Sequence, residues 1–406
     1  MIATIRRLRR AGARFFQTSA LVAIAHTGSA VAADESPYLL GDWNGQRSAL
    51  EQRGFGFEAI LTADVLANVS GGIAQEVEVP TNLDLIGHLD TGAAGWWNNG
   101  TFTLYLLGNV GGNPSAQAGD LQGLSNISAP ATLKVFEAWY EHRFFDDKMA
   151  VLVGLHDMAS DFYVNEFSGV FVNSTFGIGP EIAQVGPSIF PVSSVGTRVR
   201  VNPTPNTYVL AALYDGVPGD PDNPHGTHIE FNHGDGVFTI GEAGFTGGKE
   251  NYYKIGIGGW YHTKQFDDFA GVPHSDNSGI YVIGEKSLIK DESSGRELGA
   301  FVRVGFTDED SNPLSSHVDF GFSLKAPFSG RENDVAGIAV ARARNGRDFR
   351  NFTGANHAET AIEATYLVAA QPWLNVQPDI QYIIDPGTDP ALEDAVVLGV
   401  RLQITF

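Results

Sequence analysis

The sequence predicts an all-β fold: a 16-stranded antiparallel transmembrane β-barrel of the outer membrane, with a long loop 3 folded into the lumen. Three observations carry this expectation. The chain ends in an unbroken alternation: Val396, Leu398, Val400, Leu402, Ile404 and Phe406 are apolar, while Arg401, Gln403 and Thr405 between them are polar. Successive side chains of a strand point to opposite faces, and this length matches one membrane-spanning strand. Period-two segments recur until sixteen are counted. The connections between them alternate long and short, as in a barrel with loops outside and turns in the periplasm.

Composition agrees. The 406 residues include 48 Gly and 26 Phe, and glycine, aromatic and β-branched residues favour strands and turns. Cysteine is absent, which excludes disulfides, thiolate metal sites and a Cys nucleophile. The net charge of -21 sets a nucleic-acid surface aside.

Residues 1–32 read as a signal peptide. Arg6, Arg7, Arg9, Arg10 and Arg14 precede a short apolar stretch from Phe15 to Ile24, and Ala30-Val31-Ala32 forms an A-x-A cleavage site. Removing these five arginines takes the net charge to -21 - 5 = -26. Residues 33–56 form an N-terminal periplasmic segment. It carries a short helix, with Asp42 or Asn44 as its cap and Gly54 as its end. Residues 57–406 form the barrel.

The barrel segments follow in order. Phe57, Ala59, Leu61, Ala63 and Val65 oppose Glu58, Thr62 and Asp64. Leu83, Leu85 and Leu89 alternate with Asn82, Asp84, His88 and Asp90, and Phe102, Leu104 and Leu106 with Thr101, Thr103 and Tyr105. Phe136, Ala138 and Tyr140 oppose Glu137, Trp139 and Glu141. Further on, Val199 and Val201 oppose Arg198 and Arg200; Ile255, Ile257 and Tyr261 oppose Lys254, Trp260 and His262; Val302, Val304 and Phe306 oppose Arg303. Val318, Phe320, Phe322 and Leu324 oppose Asp319, Ser323 and Lys325. Ile362, Ala364, Tyr366 and Val368 oppose Glu363 and Thr365, and Ile380 and Tyr382 oppose Asp379 and Gln381. Weaker segments lie near 150–155, 207–213, 237–245, 279–288 and 334–342. Helical patterns between the segments are few, which argues against a parallel sheet. No run of 18 apolar residues follows the signal peptide, so only a closed barrel could span a bilayer. Sixteen strands leave a lumen too wide for side chains to fill, and the charged second face is expected to be wet.

The connection 156–194 is too long for a passive loop. Its apolar Phe162, Val164, Phe171 and Ile178 need a surface to pack on, and the lumen wall offers one. On the lumen face, Glu137, Trp139, Glu141, Arg198, Arg200, Trp260, Arg303 and Arg401 combine carboxylates, guanidinium groups and indoles. Charged groups make strong hydrogen bonds to hydroxyls, and an indole offers a flat apolar surface with a donor at its edge. Such a wall suits a neutral polyol better than ions of one sign. His225, His228 and His233 match no firm metal spacing, and no dinucleotide, nucleophile-elbow or zinc-protease motif occurs. No metal or cofactor is expected.

The stretch from Gly41 to Arg47 (GDWNGQR), then Leu50 to Gly54 (LEQRG) and Asn68 to Gly72 (NVSGG), resembles the opening of the carbohydrate-selective porins of the OprB family. Glu137-Ala138-Trp139-Tyr140, Asp161-Phe162, Phe171 to Gly177 (FVNSTFG) and Tyr214 to Asp220 (YDGVPGD) extend the resemblance over nearly the whole mature chain. It implies a sixteen-stranded outer-membrane barrel passing glucose and related sugars passively. It also implies a constriction of Arg, acidic and aromatic residues, among which Asp161 falls. Phe406 resembles the signal by which such barrels are recognised for membrane assembly. Where family members often carry a basic residue, this chain has Leu155 and His156.

The expected function is therefore a channel and not an enzyme, passing monosaccharides or small oligosaccharides across the bacterial outer membrane. Its expected partners are outer-membrane lipid and lipopolysaccharide, the barrel-assembly machinery and a possible homotrimer. A general diffusion porin for small ions and solutes is the nearest alternative. A secreted, glycan-active β-fold enzyme is the more distant one.

Overall fold

The computed structural model describes residues 36–406 apart from 249, 250, 270 and 275. The expected signal peptide lies outside the described residues. Sixteen long strands run in chain order: β1 (Phe55–Ser70), β2 (Thr81–Asp90), β3 (Gly100–Val110), β4 (Thr132–Phe144), β5 (Met149–His156), β6 (Ser194–Thr204), β7 (Thr207–Asp215) and β8 (Val237–Gly247). They continue as β9 (Tyr253–His262), β10 (Asn277–Asp291), β11 (Arg296–Thr307), β12 (Leu314–Lys325), β13 (Val335–Asn345), β14 (Ala358–Gln371), β15 (Leu374–Ile384) and β16 (Ala395–Thr405). Each strand pairs antiparallel with the next. The barrel closes through β1 and β16, from Ile60 opposite Thr405 to Ala67 opposite Leu398. Closure leaves no unpaired edge, which a hydrocarbon solvent requires. The two-residue strand Val77–Glu78 adds to β1, and Phe266–Asp267 pairs with Pro273–His274 as a separate ribbon.

The connections are sorted as the sequence predicts. One end carries 71–80, 111–131, 157–193, 216–236, 263–276, 308–313, 346–357 and 385–394; the other carries 91–99, 145–148, 205–206, 248–252, 292–295, 326–334 and 372–373. Pro205-Asn206 and Pro372-Trp373 make the tightest turns. Short helices sit in the longer segments: α1 (Gln46–Gln52), α2 (Pro114–Ala118), α3 (Pro180–Ala183) and α4 (Arg347–Thr353). Gly45 and not Asp42 or Asn44 takes the N-cap position of α1 itself, although Asp42 still serves the helix's first turn. The Asp42 carboxylate accepts from the Ser48 backbone amide at 2.9 Å. Gly54 then turns the chain at φ +90°, where a Cβ would lie 2.5 Å from the Asp90 carbonyl.

Alternation sets the two faces. Val65, Leu104, Ile257, Val302, Phe320, Leu398, Val400 and Leu402 are exposed apolar groups on the outer face, while Asp64, Glu141, Asp319 and Glu363 are buried on the other. Phe136 departs from expectation. A bulge lets Tyr105 pair with Glu137 and Leu106 with Val135, so Phe136 slips out of register. It is buried against Tyr105, ring centroids 5.1 Å apart.

The apolar packing lies between long loops and the inner face. Met158, Phe162, Tyr163 and Ile182 of loop 157–193 pack with Leu210, Tyr214, Phe238, Ile240, Trp260 and Tyr281. Val170, Phe171 and Phe176 of the same loop pack with Phe301, Val335 and Ala339. Ala118 and Leu124 of loop 111–131 pack with Leu66, Ala361, Ile383 and Val397. The expectation of a wall wetted throughout is therefore corrected for these residues, which are buried against loop side chains.

The face assignment is testable on β16. Val400→Arg should destabilise the barrel by about 2–4 kcal/mol, the cost of a cation near mid-membrane. Gln403→Lys, on the opposite face, should be tolerated. Heat-modifiable mobility of the membrane-inserted protein reads both, and the opposite ranking would show the faces reversed.

Candidate functional site

Six of the nine residues singled out from sequence lie on β4, β6 and the start of loop 157–193. Arg198 donates from Nε to Asp161 at 2.7 Å and from Nη1 to Glu141 at 2.8 Å. Antiparallel register places Glu141, Leu152 and Arg198 in one row across three strands, so the Arg198–Glu141 pair follows from local pairing. Asp161 is delivered by the loop instead. Burial acts to raise its carboxyl, but Arg198, His156 and Arg200 outweigh this and hold it below the ordinary carboxylate value. His156 faces Tyr214 Oη through Nδ1 at 2.8 Å and Ser160 Oγ through Nε2 at 2.9 Å. Glu137 accepts from Trp139 Nε1 at 3.0 Å. Gly154, with φ +142°, lies opposite Trp139; a Cβ there would come within 2.6 Å of the Trp139 backbone.

Glu141 and Arg198 are buried. Arg200 keeps 31% of its side chain exposed, 3.9 Å from Glu141. Trp139 is likewise half-buried. Arg143, which the sequence reading did not single out, shares the Arg200 row through Ala150 and is also partly accessible. The accessible groups of this sector are thus an indole and guanidinium groups, next to two carboxylates already bound to Arg198.

The other three singled-out residues lie elsewhere. Trp260 is buried against Phe238, ring centroids 5.8 Å apart, under the loop's apolar side chains. Arg303 has 0% exposure. It binds Asp319 at 2.7 Å and donates to the loop carbonyls of Gly177 and Thr175, each at 2.9 Å. Arg401 joins β16 to β1 by donating to Asp64 at 2.6 and 2.8 Å, and reaches Asn126 of loop 111–131 at 2.7 Å. Arg303 and Trp260 hold the loop against the wall; they do not stand open to a solute.

Wall carboxylates systematically meet loop backbone. Glu137 accepts from the amide of Asp157, Glu242 from Tyr163, Glu285 from Phe167, and Glu363 from both Val172 and Asn173, at 2.7–3.0 Å. Lys254 Nζ and Gln377 Nε2 donate to the carbonyls of Val164 and Val170. Backbone groups withdrawn from water need such partners. Sequence reasoning missed Asp319, Glu242 and Glu285 in these roles. Asp319 could have been found, because it stands directly opposite Arg303 in the β11–β12 hairpin. Glu242 and Glu285 meet loop amides 79 and 118 residues away in sequence, which left no local signal.

Among the histidines considered for metal, His225 Nδ1 meets the Ala131 carbonyl at 2.6 Å and His228 Nε2 meets the His225 carbonyl at 2.7 Å. Asp220, His228 and Glu230 each bring one ligand-type atom within 4.8 Å of the others.

Removing Arg303 leaves Asp319 buried without its cation. Arg303→Ala should cost about 3–5 kcal/mol, whereas the joint change Arg303→Met with Asp319→Leu should cost less. Thermal unfolding in detergent of the single and joint variants measures this difference; a single-variant loss below the joint loss would contradict the anchor role.

Comparison with known proteins follows the same lines. A family model described as "Carbohydrate-selective porin, OprB family" matches residues 81–406. Porin B of Pseudomonas aeruginosa is 23% identical, over 91% of this chain and 92% of its own length. The putative porin QuiX of Acinetobacter baylyi is 23% identical, over 91% and 93%. The high-pH structure of Pseudomonas putida OprB superposes with a TM-score of 0.83 at 21% identity, over 93% of this chain and 100% of that one; its low-pH structure gives 0.62. These structures share the fold, a closed sixteen-stranded barrel. The chain is an outer-membrane β-barrel and belongs to the carbohydrate-selective porins of the OprB family.

Proposed function

We propose that the protein is a passive channel for neutral sugars, with Trp139 and Arg200 as the groups a passing solute meets. The observation that carries this reading is that the two carboxylates beside them are already engaged by guanidinium groups. Glu141 and Asp161 are spent on Arg198, so the accessible chemistry is an apolar ring beside hydroxyl-seeking guanidinium groups. An indole stacks on the apolar face of a pyranose, and a guanidinium group donates to its hydroxyls. We read loop 157–193 as lying within the lumen. Its hydrogen bonds to residues of β4, β8, β9, β10, β11, β14 and β15 support this. A loop in that place narrows the aqueous path to the sector left beside β4–β6. Flux then follows the concentration gradient, and a weak site there makes it saturable.

The remaining features belong to the same reading. Residues 1–32 direct export and are removed, residues 33–56 stay in the periplasm, and residues 57–406 insert as the barrel. The apolar outer face is covered by lipid and lipopolysaccharide, the assembly machinery inserts the chain through its C-terminal strand, and a homotrimer is the proposed assembly. No catalytic step is assigned to it. A general, cation-preferring diffusion porin would suit the net charge of the mature chain. Selectivity follows the groups lining the narrowest path and not the total charge, and Arg143 and Arg200 favour the sugar reading.

Liposome swelling with a panel of monosaccharides tests it. Swelling should be sugar-dependent, and Trp139→Ala should weaken sugar block of ion current by roughly two- to tenfold, the worth of one aromatic contact. Arg200→Ala should shift the reversal potential toward cations and weaken block as well. Sugars that leave the wild-type current unchanged would favour the general porin.

A further inference from the structure

The outer rim carries a charge anomaly that the pore does not use. In a chain this acidic, Arg342, Arg344, Arg347 and Arg350 fall within nine residues, at the loop end of β13 and in α4. The alternation of β13 decides where the first two point. Ala339, Ala341 and Ala343 are buried, and a Cβ on Gly337 would meet Val170 and Phe171 of loop 157–193. The odd positions therefore face inward. Arg342 and Arg344 share the outer face with Ile338, which is 54% exposed. They are exposed themselves. Arg342 lies between Val318 and Thr360, and Arg344 between Ser316 and Ala358.

Both arginines sit within three residues of the end of β13 at Asn345. With a rise of about 3.3 Å per residue along a tilted strand, that is within about 10 Å of the long-loop rim. A cation at this depth costs little and extends its head to the interface. Inward-facing Arg198, Arg303 and Arg401 are all paired with carboxylates. Among the described residues, neither Arg342 nor Arg344 has such a pair. Arg342 Nη1 donates to Thr360 Oγ1 at 3.0 Å, which leaves its other donors free to turn outward. Arg347 is held by Asp348 at 3.2 Å and Arg350 by His357 at 2.8 Å; they add to the local positive field.

We propose that Arg342 and Arg344, with the hydroxyls of Ser316 and Thr360 beside them, form a binding site for the phosphate of an anionic glycolipid headgroup in the outer leaflet. The chemistry is that of guanidinium forks on phosphate oxygens, with neutral hydroxyls completing the contact. The position selects a lipid over a free anion: the site opens sideways, beside exposed Ile338 and Phe322, where acyl chains lie. It gives the barrel a fixed attachment to the outer leaflet on one side. The inference rests on the outer-membrane reading and is independent of the sugar reading.

The test uses the full-length barrel in a non-ionic detergent, with diphosphorylated lipid A as probe. Dephosphorylated lipid A and inorganic phosphate are the other two arms. Wild type should bind the diphosphorylated lipid in a salt-sensitive way and bind the dephosphorylated form at least about tenfold more weakly. The pair Arg342→Gln with Arg344→Gln should lose at least about tenfold in affinity, while Arg342→Lys with Arg344→Lys should retain part of it. Sugar-dependent liposome swelling should be the same for all three proteins, so failure of the lipid site and failure of the channel reading remain distinct. Unchanged binding in the glutamine pair, or equal binding of the dephosphorylated lipid, would overturn the proposal. Competition by inorganic phosphate at the lipid's own concentration would reassign the site to a free anion and overturn it equally. Should the glutamine pair fail to show heat-modifiable mobility, salt dependence and the lysine pair decide the matter.

Discussion

A folded loop cannot leave its backbone amides without partners, and many inward-pointing side chains of this barrel answer to that constraint. Loop 157–193 has little regular structure of its own. Its amides are met by Glu137, Glu242, Glu285 and Glu363, and its carbonyls by Lys254, Arg303 and Gln377. A charged acceptor or donor makes a stronger hydrogen bond than a neutral one. Four separated carboxylates therefore tie down amides that the loop's own turns leave unpaired, while those turns satisfy many of the others. Apolar packing completes the attachment, with Phe162 and Tyr163 against β7–β10 and Phe171 and Phe176 against β11 and β13.

This attachment changes what the wall charges mean. A count of acids and bases on the inner face suggests a wet, charged lumen. In the structure most of those groups are committed: Arg303 to Asp319 and the loop, Arg401 to Asp64 and Asn126, Arg198 to Glu141 and Asp161. Buried ion pairs contribute little net stability compared with apolar packing, but removing one partner is costly. They fix where the loop sits. Trp139, Arg143 and Arg200 are accessible on the β4–β6 side, and Glu58, Asp90 and Lys325 are partly accessible elsewhere on the same face. The net charge of the chain thus says little about which charges stay accessible on that face.

The sectors where the sequence signal was weak are physically informative. The segments near 207–213, 237–245 and 279–288 blurred because both faces are apolar. Leu210, Phe238, Ile240, Tyr281 and Ile283 point inward and are covered by the loop, while Val209, Leu213, Ile280 and Val282 point outward. A wall against water would have kept its alternation there; a wall against protein did not need to. Phe136 was assigned to the wrong face because a bulge inserts one residue, and a bulge leaves no trace in a simple period of two.

The strand number, the antiparallel order, the sorting of loops and turns, and the outward-facing residues apart from Phe136 were legible in the sequence. Each follows from local alternation and from the demands of a solvent that offers no hydrogen bonds. Cross-strand partners such as Arg303 and Asp319 were within reach of the same logic, since hairpin register fixes them. The fate of Trp260 and Arg303 was not, nor the use of Glu242, Glu285 and Glu363 as anchors. Alternation tells which face a side chain takes, but not what else occupies the space in front of it. That depends on contacts between residues far apart in the chain, and only the closed barrel brings them together.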